Sequence, residues 1–325
     1  MRIITFFNNK GGVGKTTTVY HVAWMLSEMG IRTITIDLDP QSNLTSMFIT
    51  EDRLEEMYES ELPTSILDSI IPIVNGDQAV PAYIEVINDY LGLIPGNLAL
   101  STFEDKLSDA WLKCLDEDNY GFKITSLFGN IIAEAATRFK AEIVLVDVGP
   151  NLGAINRAVT ISSDYIIMPV SPDLFSLQGI KNLGTTLNKW KNQWLQRKKL
   201  KPDSLRIQLP ANNTIPSGYI VMQYSSSESR PVKSYLRWAN KIPSAFSEFV
   251  LNQPADEEPV PIEDDTNCIG FLKHYRSLAP MSMEARKPIF LLKPADGAIG
   301  AHMYAVQKSY FEFLQLTKSI LQKCP

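Results

Sequence analysis

Residues 8–17 read Asn-Asn-Lys-Gly-Gly-Val-Gly-Lys-Thr-Thr, and no other stretch of the chain restricts its fold so tightly. The apolar run Arg2–Asn8 that leads into it predicts a buried strand. Beyond it Val19, Val22, Ala23, Leu26 and Met29 recur at helical spacing until Gly30 stops the pattern. A strand feeding a glycine loop that opens a helix gathers backbone N–H groups around an anion at the positive end of a helix dipole. Asn9-Lys10-Gly11-Gly12-Val13-Gly14-Lys15-Thr16 fits G-x-x-x-x-G-K-[ST] except at Asn9. Asparagine is expected to serve in place of that first glycine because it enters the left-handed region readily. In such a loop Gly11, Gly12, Val13 and Gly14 curl around phosphate oxygens and Lys15 neutralises the terminal phosphates of a nucleotide. Thr16 offers a hydroxyl to Mg²⁺, and Thr17 reaches the α-phosphate.

Further strands are predicted at Arg32–Asp37, Leu91–Ile94, Ile143–Asp147, Tyr165–Val170, Gly218–Gln223 and Cys268–Leu272, with helices between them. One helix is expected to open at Ser101 with Glu104 in capping-box spacing, and Ala298–Leu321 reads as a long closing helix. This alternation implies an α/β fold, a doubly wound, mostly parallel sheet of about seven strands flanked by helices. With 325 residues, 45% hydrophobic and 21% charged, the chain has material for a large core. No Ser/Gly/Pro-rich linker divides it, so one domain over 1–325 is expected, with surface insertions near 195–217 and 252–266.

Ligands bind at the carboxyl ends of strands in such sheets, so an acid ending a hydrophobic strand gains meaning beside a phosphate loop. Val144-Leu145-Val146-Asp147 has this form, and Asp37 and Asp39 end the neighbouring predicted strand. The cysteines Cys114, Cys268 and Cys324 are scattered and lack the spacing of a zinc or iron-sulfur site or of a disulfide scaffold. There is neither a signal-like N-terminus nor a run of about 18 apolar residues, so a cytoplasmic location without a membrane is expected.

The net charge of -5 conceals segregation. Lys181, Lys189, Lys191, Arg197, Lys198, Lys199 and Lys201 form a run with no acid, whereas Asp256–Asp265 contains six acids and no base. In a helix predicted over 231–241, Arg230, Lys233, Arg237 and Lys241 fall on one side and apolar residues on the other, with Pro243 expected to stop it. Trp190 and Trp194 stand four apart and are expected to pack as core, as are the apolar residues of Tyr310–Cys324.

Lys10-Gly11-Gly12-Val13-Gly14-Lys15-Thr16-Thr17 resembles the deviant Walker A loop of the ParA/MinD family. The resemblance extends to Ile36-Asp37-Leu38-Asp39-Pro40-Gln41-Ser42-Asn43, to Leu93-Ile94-Pro95-Gly96-Asn97-Leu98, to the Walker B-like strand at Asp147, and to Met168-Pro169-Val170 with Gly179. It implies an ATPase that forms an ATP-dependent sandwich homodimer, in which Lys10 crosses to the partner's γ-phosphate. Catalytic roles fall to Lys10, Lys15 and Asp39, the last positioning the attacking water. Thr16, Asp37 and Asp147 surround Mg²⁺. It also implies nonspecific DNA binding, through Arg230, Lys233, Arg237 and Lys241 as candidates, and a ParB-like protein that stimulates slow ATP hydrolysis in partition or cargo positioning. DNA binding would make the cytoplasmic protein nucleoid-associated. Because the chain starts at its first strand, the form expected is one without an N-terminal helix-turn-helix domain. The alternatives are a MinD-like positioning ATPase on a membrane and a metabolic relative that activates carboxylates with ATP. The sequence departs from the family at Asp147-Val148-Gly149-Pro150-Asn151, where D-x-P-P-S is usual and a flexible glycine is gained. It departs again at Phe271-Leu272-Lys273-His274-Tyr275-Arg276, where I-P-R-N-x-R is frequent.

Overall fold

Strands buried on both faces need side chains that are apolar in both directions, and Ile143–Val148 (β5) shows how this chain meets that need. Val144, Val146 and Val148 enter the hydrophobic cluster on one face of the sheet. Ile143 and Leu145 enter the cluster on the other. In the computed structural model, which describes residues 1–224, 237–254 and 260–325, β5 pairs in parallel with Arg2–Phe6 (β1) and Thr33–Leu38 (β2). The remaining strands are Glu85–Asn88 (β3), Leu91–Ile94 (β4), Tyr165–Val170 (β6), Ile215–Tyr224 (β7) and Cys268–Lys273 (β8). They form an eight-stranded sheet in the order β3-β4-β2-β5-β1-β6-β7-β8, parallel except for the edge pair β3/β4. The doubly wound architecture is as expected; β3 is an additional strand.

One face of the sheet carries Ile66–Asn75 (α4), Glu104–Lys113 (α5), Asn119–Thr125 (α6), Leu127–Phe139 (α7), Ala154–Ser162 (α8) and Leu174–Lys198 (α9), whose apolar residues supply nearly half of the first cluster. The other carries Lys15–Glu28 (α1), Asn43–Phe48 (α2), Glu51–Glu59 (α3) and the closing helix Ala301–Lys323, with Leu278–Ala285 before it. In that closing helix Phe313, Leu316 and Ile320 are buried against the sheet side, as expected, but Phe311, also expected in the core, lies off that face and is 68% exposed. Trp190 and Trp194 are likewise buried.

Four expectations change. The segment expected to open a helix at Ser101 is a 3₁₀ turn over Leu98–Phe103 followed by α5, and Glu104 caps a different helix, accepting from the Ala154 and Ile155 N–H groups of α8. The loop expected from Leu195 to Ser217 is shorter, because α9 runs to Lys198 and β7 begins at Ile215. Arg197, counted in the basic run, is only 5% exposed and donates from Nε to the Trp111 carbonyl at 2.8 Å. Pro243 starts rather than stops a helix, lying in the first turn of Ile242–Ala245 (α10). Arg230 and Lys233, with most of the helix expected over 231–241, fall outside the described residues, as do Asp256, Glu257 and Glu258.

Candidate functional site

Asn8 anchors the loop after β1. Its Nδ2 donates to the Pro169 carbonyl at 2.6 Å, and its Oδ1 accepts the Lys10 N–H at 2.9 Å. Gly12 and Gly14 then take φ of 71° and 84°, left-handed values that exclude most side chains. Gly14 is the N-cap of α1 and has no side-chain cap, so the first-turn amides face a cavity of about 450 Å³. Gly11, Gly12, Gly14, Lys15, Thr16 and Thr17 line it, while Val13 is buried and is not part of the lining. Asn9 does not use the left-handed region. Its side chain turns inward, with Oδ1 only 2.8 Å from where a Cβ on Gly179 would stand, so the bulk gained at residue 9 is matched by a glycine on α9.

The carboxylates divide their work. Asp147, second from the end of β5, is fully buried; its Oδ2 accepts from the Thr16 hydroxyl at 2.7 Å while its Oδ1 has no partner. Burial, then the nearby Asp37, raises this carboxyl to about 8. Burial also pulls the Lys15 ammonium below its ordinary value, against the opposing pull of Asp147 and Asp39. Asp37 pairs in register with Asp147 across β2/β5 but does not line the cavity. Its Oδ2 accepts from Thr45 N–H and Oγ1 at 2.8 and 2.7 Å, and burial raises its pKa to about 6. Asp39 does face the cavity, and its Oδ1 accepts the Gln41 N–H at 3.0 Å. An orphaned carboxylate oxygen beside a threonine hydroxyl is a hard oxygen donor set that fits Mg²⁺.

Lys10 does not enter the cavity. Its Nζ pairs with Asp173 Oδ2 at 2.5 Å and lies 3.4 Å from Ser176 Oγ, both at the start of α9. Asp173 is also the N-cap of α9; burial would raise its carboxyl, but the Lys10 and Ser176 donors hold it below the usual range. Gly149 lies beside Asp39 in an ordinary backbone conformation. Asn156 Nδ2 fixes the loop after β5 by donating to the carbonyls of Gly149 and Asn151 at 2.7 and 2.6 Å.

The far wall of the cavity comes from the C-terminal third of the chain, through Ala279, Ser282, Met283 and Ile289. His21 joins that wall to α1: its Nδ1 lies 2.7 Å from the Thr17 carbonyl and its Nε2 accepts the Ile289 N–H at 3.1 Å. Asp173, Asn156, Thr45 and His21 were not singled out from the sequence. Among them only Asp173, three residues before Ser176, carries a readable local signal, that of an N-cap. Elsewhere Arg237, Lys241 and Lys181 line one groove together with Glu248, joining two basic segments far apart in the sequence.

A glycine loop, a buried lysine and a threonine at a helix N-terminus, facing acids from adjacent parallel strands, define a P-loop nucleotide-binding protein. The chain belongs to the AAA domain family (AAA_31) of ParA/MinD type, whose sequence profile matches residues 1–201. It is 34% identical to protein IncC of Escherichia coli over 58% of this chain and 46% of IncC. It is 26% identical to the chromosome partitioning protein ParA of Myxococcus xanthus, over 58% of each chain. The aligned segment thus spans about half the length of these relatives. Protein DIP2308 of Corynebacterium diphtheriae superposes with a TM-score of 0.69 at 26% identity, covering 88% of this chain and 97% of that one. A plasmid partition protein of Borrelia burgdorferi bound to AMPPNP shares the fold, with a TM-score of 0.59 at 16% identity and 99% coverage of both chains.

Proposed function

We propose that this chain is an ATP-dependent switch of the partition and positioning kind, a single ATPase domain over 1–325 that pairs face to face on ATP. The position of Lys10 carries this reading. Lys15 already stands in the cradle, and Lys10 waits at its rim, held by Asp173. The next residues of α9, Leu174 and Phe175, are 52% and 75% exposed, an apolar surface beside the site that a second copy would cover. On dimerisation Lys10 exchanges Asp173 for the partner's γ-phosphate.

Within each cradle the loop amides and Lys15 hold the phosphates, and Asp39 positions the attacking water. Thr16 and Asp147 would hold Mg²⁺ directly or through water, with Asp37 behind them fixing Thr45. When bound, Mg²⁺ offsets charge on the β- and γ-phosphate oxygens. The dimer binds DNA without sequence preference in the cytoplasm, on a surface that includes Arg237 and Lys241, joined by Lys181, and to which the sequence adds Arg230 and Lys233. Burial of Phe313, Leu316 and Ile320 in the closing helix favours this over a lipid surface, and no described helix is long and apolar enough to cross a membrane. A ParB-like partner stimulates slow intrinsic hydrolysis and releases the dimer.

Light scattering with and without ATP and Mg²⁺, followed by salt-titrated binding to random DNA, tests the cycle. Wild type is expected to double in mass with ATP and to bind DNA in that state. Lys10→Ala stays monomeric, whereas Asp39→Ala dimerises and hydrolyses about 100-fold more slowly. A wild type that remains monomeric with ATP bound removes the sandwich; normal turnover in Asp39→Ala removes the role given to Asp39.

A further inference from the structure

We propose that Glu104, on α5, is a positioning residue for hydrolysis: it clamps the loop over 149–153 against Asp39 and so sets the rate of the chemical step rather than the affinity for nucleotide. This deepens the role given to Asp39 above and rests on it. The loop joins β5 to α8 and borders the nucleotide cavity, which Pro150 lines. A Cβ on Gly149 would stand 3.4 Å from Asp39 Oδ1, so the loop passes directly beside that carboxylate. Whatever fixes the loop therefore fixes one side of Asp39.

The helix that follows the loop begins without a cap of its own. Its N-cap residue is Gly153, which has no side chain to accept from the first-turn amides. Glu104 Oε2 takes that place from α5, accepting from the Ala154 and Ile155 N–H groups at 2.5 and 3.3 Å. Its Oε1 accepts from Asn151 Nδ2 over a longer 3.5 Å, so one carboxylate holds both the helix start and the loop before it. Negative charge at the positive end of α8 adds attraction to those bonds. From the other side Asn156 Nδ2 donates to the Gly149 and Asn151 carbonyls and to Asn151 Oδ1. Seven residues beyond Glu104, on the same face of α5, the Trp111 ring takes the Arg157 guanidinium of α8 at 4.4 Å. Thus α5 holds α8 at two points, two turns apart.

Gly153 shows that the place of the carboxylate is built in. Its φ of -87° and ψ of -175° are open to any residue, so backbone conformation does not require glycine there. Space does: a Cβ would stand 2.6 Å from Glu104 Oε1 and 2.9 Å from Oε2. The obstacle is the end of a flexible side chain, so a larger residue at 153 displaces the carboxylate and leaves the backbone in place. Glycine gives up a local side-chain cap and leaves room for the one that comes from α5.

The test uses the full chain, with ATP turnover measured across ATP concentrations in Mg²⁺ and urea unfolding measured beside it. Glu104→Ala is expected to lower kcat about tenfold and to leave KM within about twofold of wild type. Gly153→Ala retains Glu104 yet displaces it, and is expected to lower kcat as Glu104→Ala does. The double variant is expected to be no slower than Glu104→Ala alone, because the added Cβ then meets no carboxylate. Lower stability at unchanged kcat, raised KM at unchanged kcat, or additive losses in the double variant overturns the assignment. If Glu104→Ala does not fold, Gly153→Ala alone decides, and normal turnover in it overturns the clamp. Normal turnover in Asp39→Ala removes the reading of Asp39 separately, while the comparison of Gly153→Ala with the double variant still decides whether Glu104 holds the loop.

Discussion

His21 closes the nucleotide cavity from behind by keeping one nitrogen protonated and the other bare. The Ile289 N–H must meet a lone pair on Nε2, so Nδ1 carries the proton and donates it to the Thr17 carbonyl. The ring stacks on Phe313 at 4.6 Å, and burial lowers its pKa to about 4 against the Thr17 bond that raises it. An unfolded chain takes up that proton near pH 6.5, whereas the folded one does so only near 4. Stability from this group is therefore complete above pH 6.5 and is lost as pH falls through that window, by about 3 kcal/mol in all. His21→Gln can keep both bonds without titrating. Its denaturation midpoint is expected to fall less than that of wild type between pH 6.5 and 4, and parallel curves would show that His21 titrates as a solvent-exposed histidine. At this scale the sequence disclosed the residues that meet phosphate, because loop geometry ties them to one another over eight positions. It was silent on those that hold them in place: Thr45, Asn156 and His21 act through tertiary contacts, and a contact has no period.

Elements were legible in proportion to their burial. Of the strands covered on both faces, β1, β5 and β6 are nearly continuous apolar runs, and β2 alternates threonine with isoleucine. The edge strand β3 reads Glu-Val-Ile-Asn, is half-buried, and offers neither a run nor a clear alternation. Glu104 had capping-box spacing, yet it caps α8 across space, since spacing cannot tell whose N-terminus a carboxylate reaches. The same dependence on packing reverses a propensity rule on α9. Alanine normally strengthens a helix over glycine by up to about 1 kcal/mol. At Gly184, however, a Cβ would fall 2.3 Å from the Phe249 carbonyl oxygen, part of the π-helical turn Phe246–Val250 that packs on α9. The obstacle is backbone and cannot rotate aside. Gly184→Ala is expected to destabilise the chain by about 2 kcal/mol in urea unfolding, and a neutral or stabilising result would show that the turn shifts freely.

For the molecule as a whole, the sheet order places β1 between β5 and β6, so the loop after β1 opens beside the carboxyl ends of β5 and β2, and two strands deliver acids to one phosphate cradle. Asp37 and Asp147 are completely buried there and Asp39 is 7% exposed, while Asp147 Oδ1 has no hydrogen bond. The two hydrophobic clusters on either side of the sheet must hold that arrangement together at a cost to the ligand-free fold. Asp147→Asn removes a carboxyl whose ionised form burial opposes, and its side chain can still accept from the Thr16 hydroxyl. The ligand-free variant is expected to be about 1–2 kcal/mol more stable than wild type, raising Tm by a few degrees. Stabilisation by ATP with Mg²⁺, measured as the ligand-dependent rise in Tm, is expected to shrink because the metal loses an anionic partner. The two measurements must move in opposite directions. A variant less stable without ligand, yet equally stabilised by ATP and Mg²⁺, would identify Asp147 as a structural partner of Thr16 alone.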